Sequence, residues 1–225
     1  MIDLKKIHFS YEKVPVLKDF SCHFSPGRFY GIFGANGCGK STLLKLITGE
    51  LIPDSGTVTP EFSDVAERAR KIGFMEQQSP DRIPMDVREV VELGRYPWRK
   101  IKADFSIDQV LEQLNLVSLQ NRSYNQLSGG EKQRVMLARV LAQDTPILLL
   151  DEPFSSLDIG NQHHFYRILK DFAAGGKCVI MVTHDVFVSA EFLDEALFLK
   201  NGELICHGTP GEIFTPSRLS DIYSF

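Results

Sequence analysis

Two hydrophobic patterns alternate along the chain. Apolar and polar residues take turns over Ile2–Ser10 and Val16–Phe24, which predicts half-buried β-strands. The runs Phe29–Phe33 and Ile147–Leu150 are short and almost wholly apolar, which favours strands that are covered on both faces. Between such runs, apolar residues recur at the spacing of one helix face, which predicts α-helices. The sequence therefore predicts an α/β domain.

The stretch from about residue 80 to residue 142 is predicted to be a helical insert in this domain. Apolar residues in Val87–Leu93 and Ile107–Leu116 follow helical spacing, and no β-rich run interrupts them. A further helix is expected to start near Ser128 and to end near Ala142. We expect residues 1–225 to form one domain that contains this insert.

Turn-forming residues separate the other elements. A helix predicted over Gly39–Gly49 is followed by a turn at Asp54-Ser55-Gly56. Another strand is expected to end near Phe74–Gln77. Asn201-Gly202 predicts a hairpin between the last two strands, and the tail from Thr209 is expected to be helical.

Composition and charge narrow the class of protein. The 225 residues are 43% apolar and 24% charged, with a formal net charge of −4. These values fit a globular domain, and they exclude a disordered chain and a broadly basic nucleic-acid coat. The apolar runs are far shorter than the ~20 residues of a membrane span, and no secretory signal is expected. The four cysteines form no C-x-x-C pair, which argues against a zinc site or a disulfide framework.

A phosphate-binding loop is predicted between the Phe29–Phe33 strand and the helix that follows. Its sequence matches G-x-x-x-x-G-K-[ST], and such a loop turns its N–H groups toward anionic oxygens. Lys40 would contact the β- and γ-phosphates of a nucleotide, and the hydroxyl of Ser41 would bind Mg²⁺. Cys38 is expected to contribute only its backbone N–H. The predicted nucleotide-binding residues of this region are Gly34, Ala35, Asn36, Gly37, Cys38, Gly39, Lys40, Ser41 and Thr42.

Two carboxylates, Asp151 and Glu152, follow the buried strand Ile147–Leu150. Ligands of open α/β sheets bind at the carboxyl ends of the strands. Asp151 would hold Mg²⁺, directly or through water, and Glu152 would accept a proton from an attacking water. The alternative is a strand that ends in acidic residues without a chemical role.

A second phosphate site is predicted at Ser128-Gly129-Gly130. Ser128 and Glu131 fit the S-x-x-E capping box of a helix N-terminus. Two glycines in a first turn are unfavourable for a helix start alone, and they suit close approach of the backbone to another group. Free N–H groups at such a helix start would bind a phosphate.

With this segment the chain resembles the ATP-binding-cassette (ABC) ATPases. Leu127–Arg134 is similar to the signature motif of that family, and further motifs follow the family's order along nearly the whole chain. Gln77 resembles the Q-loop glutamine, although Gln78 follows it directly and the assignment could shift by one residue. The other matches are Tyr11 with the aromatic residue that stacks on adenine, Ser155-Ser156-Leu157-Asp158 with the D-loop, and His184 with the switch histidine.

The resemblance implies a fold, cofactors and partners. The fold would be a P-loop NTPase core with a mixed sheet, an N-terminal antiparallel β-subdomain and an inserted helical subdomain. ATP and Mg²⁺ would bind between two copies of the chain, with Ser128, Gly129, Gly130 and Asp158 facing the partner's nucleotide. The implied catalytic residues are Glu152, His184, Gln77 and Lys40, and the implied metal ligands are Ser41, Gln77 and Asp151.

A finer resemblance points to importers of metal chelates such as siderophores, haem and cobalamin. It rests on Met85–Pro97, Leu157–Gln162 and Gly208-Thr209-Pro210. It implies a cytoplasmic subunit at the inner face of the membrane, bound to permease subunits and served indirectly by an extracytoplasmic substrate-binding protein. Arg95, Tyr96 and Trp98 are candidate docking residues for the permease. Zinc or manganese importers, and a soluble ABC ATPase without a transport role, are the alternatives, and no nucleic-acid partner is expected.

Overall fold

The computed structural model describes residues 1–78, 80–99, 105–155, 157 and 159–215. The strands in chain order are β1 (Ile2–Tyr11), β2 (Val14–Phe24), β3 (Arg28–Phe33), β4 (Ser55–Thr59), β5 (Ile72–Met75), β6 (Ile147–Asp151), β7 (Cys178–Val182), β8 (Glu195–Lys200) and β9 (Glu203–Gly208). The α-helices are α1 (Lys40–Thr48), α2 (Val65–Lys71), α3 (Val87–Glu92), α4 (Ile107–Gln113), α5 (Gly129–Ala142), α6 (Ile159–Ala174), α7 (Val186–Ala190) and α8 (Pro210–Ile213).

The central sheet has six strands in the order β5-β6-β7-β3-β8-β9, parallel except for β9. Alternate residues of β6 enter two different cores, with Leu148 and Leu150 in one and Ile147 and Leu149 in the other. Because both faces are covered, the strand has the continuous apolar sequence from which it was predicted. The parallel strands bring the loops after β3, β6 and β7 to one edge of the sheet.

A smaller antiparallel sheet, in the order β2-β1-β4, lies at the N-terminal part of the chain. Together with the central sheet it confirms the predicted mixed α/β architecture with an antiparallel N-terminal sheet. The hairpin at Asn201-Gly202 is also confirmed, because it joins the antiparallel pair β8 and β9.

The predicted turn at Asp54-Ser55-Gly56 is wrong for its last two residues, which begin β4. The strand pairs with β1, as in the register His8↔Ser55 and Lys5↔Thr57. Strand β4 is mostly exposed, so it is held by backbone pairing, and its sequence has no alternating apolar pattern that would predict a strand. Helix α2 was not predicted for a similar reason, since none of its residues is buried.

Helices α3, α4 and α5 and three short 3₁₀ segments occupy the described residues between 87 and 142. Val90 and Val91 of α3 pack in one core cluster with Val135 of α5. The boundary of an insert near residue 80 stays a prediction. The predicted helical tail is a single turn, α8, and the residues from 216 onward lie outside the described part of the chain.

No helix among the described residues has both the length and the apolar character needed to cross a lipid bilayer.

Candidate functional site

The loop between β3 and α1 is shaped by backbone that only glycine adopts easily. Gly34 has a φ of 144°, and a Cβ atom placed on it would lie 2.2 Å from the carbonyl oxygen of Leu199. An alanine here would clash with strand β8, so the loop has to begin with glycine. Gly39, with a φ of 108°, is the N-cap of α1, and the loop therefore ends at the positive end of that helix.

Lys40 is the first residue of α1, and only 6% of its surface is exposed. Its Nζ donates hydrogen bonds to the carbonyl oxygens of Gly34 at 2.9 Å and of Ala35 at 3.0 Å. The ammonium group is thereby held over the loop that precedes it. Cys38 is buried beside it, and burial raises the pKa of its thiol, so the side chain packs as a neutral group.

Glu152 lies directly after β6 and is held from two sides. Gln77 Nε2 donates to its Oε2 at 3.0 Å, and the Nε2–H of His184 donates to its Oε1 at 2.9 Å. Its backbone has a φ of 49°, a left-handed conformation that costs energy in a residue with a side chain. Strain at a residue with two side-chain partners fits a site that must present this carboxylate in one direction.

The contact with Glu152 distinguishes the two adjacent glutamines. Gln77 bonds to the carboxylate and lines the cavity next to the loop, whereas Gln78 does not line it. Gln77 and Glu152 are 75 positions apart in the chain, so sequence spacing alone could not show which of the two glutamines contacts Glu152.

Asp151 lies beside Glu152 and is 4% exposed. Burial raises the pKa of its carboxyl group above the ordinary value, while a hydrogen bond with the Ser41 side chain acts in the opposite direction. Its Oδ1 is buried and has no hydrogen-bond partner in the described chain. A buried oxygen without a partner, next to a hydroxyl group, is a donor set that suits Mg²⁺, which prefers oxygen ligands.

A cavity of ≈ 560 Å³ brings together residues predicted to bind nucleotide and residues predicted to be catalytic. Polar groups from the loop, from Gln77 and from the ends of β6 and β7 meet there. Tyr11 lies at the cavity and is 45% exposed, with Phe9 packed edge to face against it at 4.9 Å. The lining residues are Tyr11, Val16, Asn36, Gly37, Gly39, Lys40, Ser41, Thr42, Gln77, Glu152 and His184.

Among the described residues that line the cavity, Val16 is the one that the sequence did not suggest. It is an apolar residue within the alternating pattern of β2, and nothing in its local sequence marks it as part of a site.

The predicted signature residues Ser128, Gly129 and Gly130, all of them described, do not line this cavity. Ser128 caps helix α5: its backbone N–H and its hydroxyl donate to Glu131 at 2.7 and 2.8 Å. These bonds lower the pKa of the Glu131 carboxyl group. The predicted capping box is confirmed.

A Cβ atom on Gly129 would meet no atom of the described chain within 4 Å. Packing inside the described chain therefore gives no reason for glycine at this position. Asp158, the remaining residue predicted for the partner's nucleotide, lies outside the described residues.

The sequence pattern of the ABC transporter family matches residues 17–155. The chain is similar to the hemin import ATP-binding protein HmuV of Thermobifida fusca (strain YX), with 40% identity, over 96% of this chain and 79% of that protein. The HmuV protein of Escherichia coli O157:H7 is 36% identical over 99% of this chain and 92% of its own length.

Solved structures agree with these relatives. A dimeric ATP-binding cassette in a post-hydrolysis state, with ADP and Pi bound, matches with a TM-score of 0.83 and 32% identity over 93% of this chain and 99% of that one. A transporter described as metal-chelate type, in an inward-facing conformation, matches with a TM-score of 0.83 and 27% identity over 99% of this chain and 88% of its own.

Proposed function

Because the chain belongs to the ABC transporter family, we propose that it powers the import of haem or a related metal chelate through separate membrane permease subunits. It is an ABC ATPase, so it binds and hydrolyses ATP. The observation that carries the proposal is the carboxylate of Glu152, held by Gln77 and His184 beside the loop that carries Lys40. A haem class of cargo is supported by the HmuV relatives.

Hydrolysis of the γ-phosphate requires positioning and charge stabilisation more than covalent chemistry. The backbone N–H groups of the loop and the Lys40 ammonium would bind the phosphates. Mg²⁺, held by Ser41 and Asp151, would supply positive charge to the phosphate oxygens. Glu152 takes the proton of the attacking water, and His184 and Gln77 fix the direction of its carboxylate.

We further propose a head-to-tail homodimer that forms on ATP binding. Ser128 and the N-terminus of α5 lie outside the cavity of their own chain, and Gly129 has open space around it. In the dimer this helix start would bind the phosphates of the nucleotide held by the partner. Neither chain alone would then surround the γ-phosphate, so its removal would allow the two chains to separate.

A groove of ≈ 440 Å³ between α2 and the Leu93–Trp98 segment suits a permease segment. Tyr96 lines it and is 59% exposed. Arg95 and Trp98, the other candidate docking residues, donate hydrogen bonds to the carbonyl oxygens of Ala142 and Gln143. These two residues hold the segment against the end of α5, and Tyr96 is the candidate that stays available to a partner. The subunit would thus sit at the inner face of the membrane.

The cargo can be tested with the subunit and its permease reconstituted in proteoliposomes. We expect a hemin-loaded substrate-binding protein to stimulate ATP hydrolysis and hemin to enter the vesicles. The same binding protein without hemin is the control. Stimulation by a zinc- or manganese-loaded binding protein, with none by hemin, would contradict the haem assignment while leaving the ATPase assignment intact.

We expect Lys40→Ala to weaken ATP binding by about 10- to 100-fold, because a charged hydrogen bond to phosphate contributes roughly 1.5–3 kcal/mol. Binding of a fluorescent ATP analogue to the monomer measures the effect. Lys18→Ala is a matched control, since Lys18 is an exposed lysine of β2. Unchanged affinity in the Lys40 variant would show that the backbone donors suffice.

Asp151→Asn should have opposite effects on stability and activity. Burial raises the pKa of Asp151, so its charged form is less favourable in the folded than in the unfolded chain. At neutral pH the ionised group therefore opposes folding, and this cost disappears as pH falls below the ordinary carboxyl pKa. We expect the nucleotide-free variant to melt at a higher temperature than wild type at pH 7, while Mg²⁺-dependent hydrolysis is lost.

Thermal melts of both proteins at neutral and acidic pH measure this effect. The difference in melting temperature should shrink toward acidic pH. A variant that melts lower than wild type at pH 7 would show that Asp151 stabilises the fold and is not held ready for a cation.

A further inference from the structure

Three polar side chains of the N-terminal part of the chain are joined by hydrogen bonds. Asp3 of β1 and His23 of β2 lie directly opposite each other in the strand register. Nδ1 of His23 lies 2.6 Å from Oδ1 of Asp3, and its Nε2 lies 3.0 Å from Oγ of Ser25. The strand pairing thus connects a carboxylate, an imidazole and a hydroxyl group, and none of the three lines the nucleotide cavity.

The order of these groups fixes the direction of their hydrogen bonds. The hydrogen bond with His23 lowers the pKa of the Asp3 carboxyl group, so the group is ionised at neutral pH and can only accept. In the neutral imidazole the proton is therefore on Nδ1, and Nε2 accepts the hydroxyl proton of Ser25. A serine that donates to a histidine oriented by a carboxylate has the arrangement of an activated nucleophile.

These groups can be reached from solvent and lie far from the nucleotide loop. The side chain of His23 is 47% exposed and that of Asp3 is 27% exposed, and Ser25 is half-buried. Ser25 precedes the turn into β3, and the nucleotide loop follows the other end of that strand. The six residues of β3, or roughly 20 Å, separate the two places. A reaction at Ser25 would therefore be independent of bound ATP.

The backbone around Ser25 limits the substrates that could react there. Acyl transfer is accelerated by donors to the negative charge that develops on the carbonyl oxygen. The N–H of Ser25 already donates to the Tyr30 hydroxyl at 2.8 Å. The N–H of Gly27 donates to the Lys177 carbonyl oxygen at 3.0 Å, and Pro26 has no N–H. Because this turn offers no free backbone donor to the oxyanion, the substrate must have a good leaving group.

The surface next to Ser25 favours a neutral acyl group. Pro26, the following residue, lines a cavity of ≈ 370 Å³. Met1, Phe62 and Ile147 contribute further apolar surface to its walls. Since apolar walls suit hydrocarbon groups, a short-chain ester fits these surroundings.

We propose that Ser25 is a nucleophile for acyl transfer from activated neutral esters, with His23 as its general base and Asp3 as a positioning residue. Oγ of Ser25 attacks the carbonyl carbon of the ester, and its proton passes to Nε2 of His23. The bond from that carbon to the leaving oxygen then breaks, and the leaving oxygen takes the electron pair and the proton from His23. Water attacks the resulting O-acyl serine by the same route, which releases the carboxylic acid and restores Ser25.

The test incubates the folded chain with p-nitrophenyl acetate in the absence of ATP. We expect release of p-nitrophenol and an acetyl group on Ser25, located by peptide mass spectrometry and removed by hydroxylamine, which cleaves esters and leaves lysine amides intact. Ser25→Ala should lose this label. His23→Ala should acetylate Ser25 about 100-fold more slowly, as expected for loss of a general base. Asp3→Asn should also slow the reaction, because an amide can donate to Nδ1 and leave the imidazole proton on Nε2.

His207→Ala is the matched control. His207 of β9 also pairs with a carboxylate, that of Glu195 at 2.5 Å, and its loss should leave the acetylation of Ser25 at the wild-type rate. All four variants should hydrolyse ATP as wild type does, which shows that they are folded. A wild-type chain without an acetyl group on Ser25 would overturn the proposal, as would acetylation at the wild-type rate in His23→Ala. An unchanged rate in Asp3→Asn would contradict the role of Asp3.

Discussion

We expect the Glu152→Gln variant to bind ATP as wild type does and to hydrolyse it about 10²–10⁴-fold more slowly, the usual effect of losing a general base. The carboxamide has nearly the shape of the carboxylate, and its oxygen can still accept a hydrogen bond from Gln77 or from His184. The cavity, the loop and Lys40 are unchanged by the substitution. The variant therefore separates proton transfer from nucleotide binding.

With hydrolysis blocked, ATP should hold two chains together long enough for a dimer to be seen by gel filtration. Glu92→Gln is a suitable control, because Glu92 is exposed at the end of α3 and pairs with Arg88 at 3.6 Å, away from the cavity. That variant should hydrolyse ATP at the wild-type rate. If Glu152→Gln also keeps the wild-type rate, Glu152 does not accept the proton, and the contacts with Gln77 and His184 have another purpose.

The sequence predicted the parts of the site that a continuous segment determines. The loop Gly34–Ser41 contains its own glycines, its cation and its hydroxyl group, so its local sequence is sufficient to indicate a phosphate site. Asp151 and Glu152 could be placed because a short apolar strand delivers them to the edge of a parallel sheet. The structure brings these two segments together as expected.

Other features depend on contacts between distant parts of the chain, and the sequence could not supply them. The bond to Glu152, which sets Gln77 apart from Gln78, is one of these contacts. Strand β4 is held by pairing with β1 and has little apolar pattern of its own, so the sequence predicts a turn at its first two residues. The hydrogen bond from Gln133 to Ser155 joins two motifs that the sequence had shown separately, and only the fold reveals that they touch.

Ser128→Arg should leave ATP binding to the monomer near normal and abolish both dimerisation and hydrolysis. Ser128, Gly129 and Gly130 do not line the cavity of their own chain, so Lys40 and Ser41 are undisturbed. A long cationic side chain at the start of α5 should occupy the space that the partner's nucleotide needs. Loss of the helix cap alone should cost only about 1 kcal/mol, which does not unfold a domain.

Ser106→Arg is the matched control for the cap, because Ser106 caps α4 by accepting a hydrogen bond from the N–H of Gln109. It should lose a similar amount of stability and still dimerise with ATP. A second check mixes Ser128→Arg chains with Lys40→Ala chains. One composite site of the mixed dimer then carries both defects and the other carries neither, so part of the activity should return.

Loss of ATP binding in the monomer would contradict the head-to-tail arrangement. If Ser128→Arg removes ATP binding from a folded monomer, the start of α5 and the loop with Lys40 belong to the same half-site. Mixing with Lys40→Ala chains would then restore nothing, because every site would lack one of its required parts. Restored activity in the mixture requires that each nucleotide be held by Lys40 of one chain and by Ser128-Gly129-Gly130 of the other.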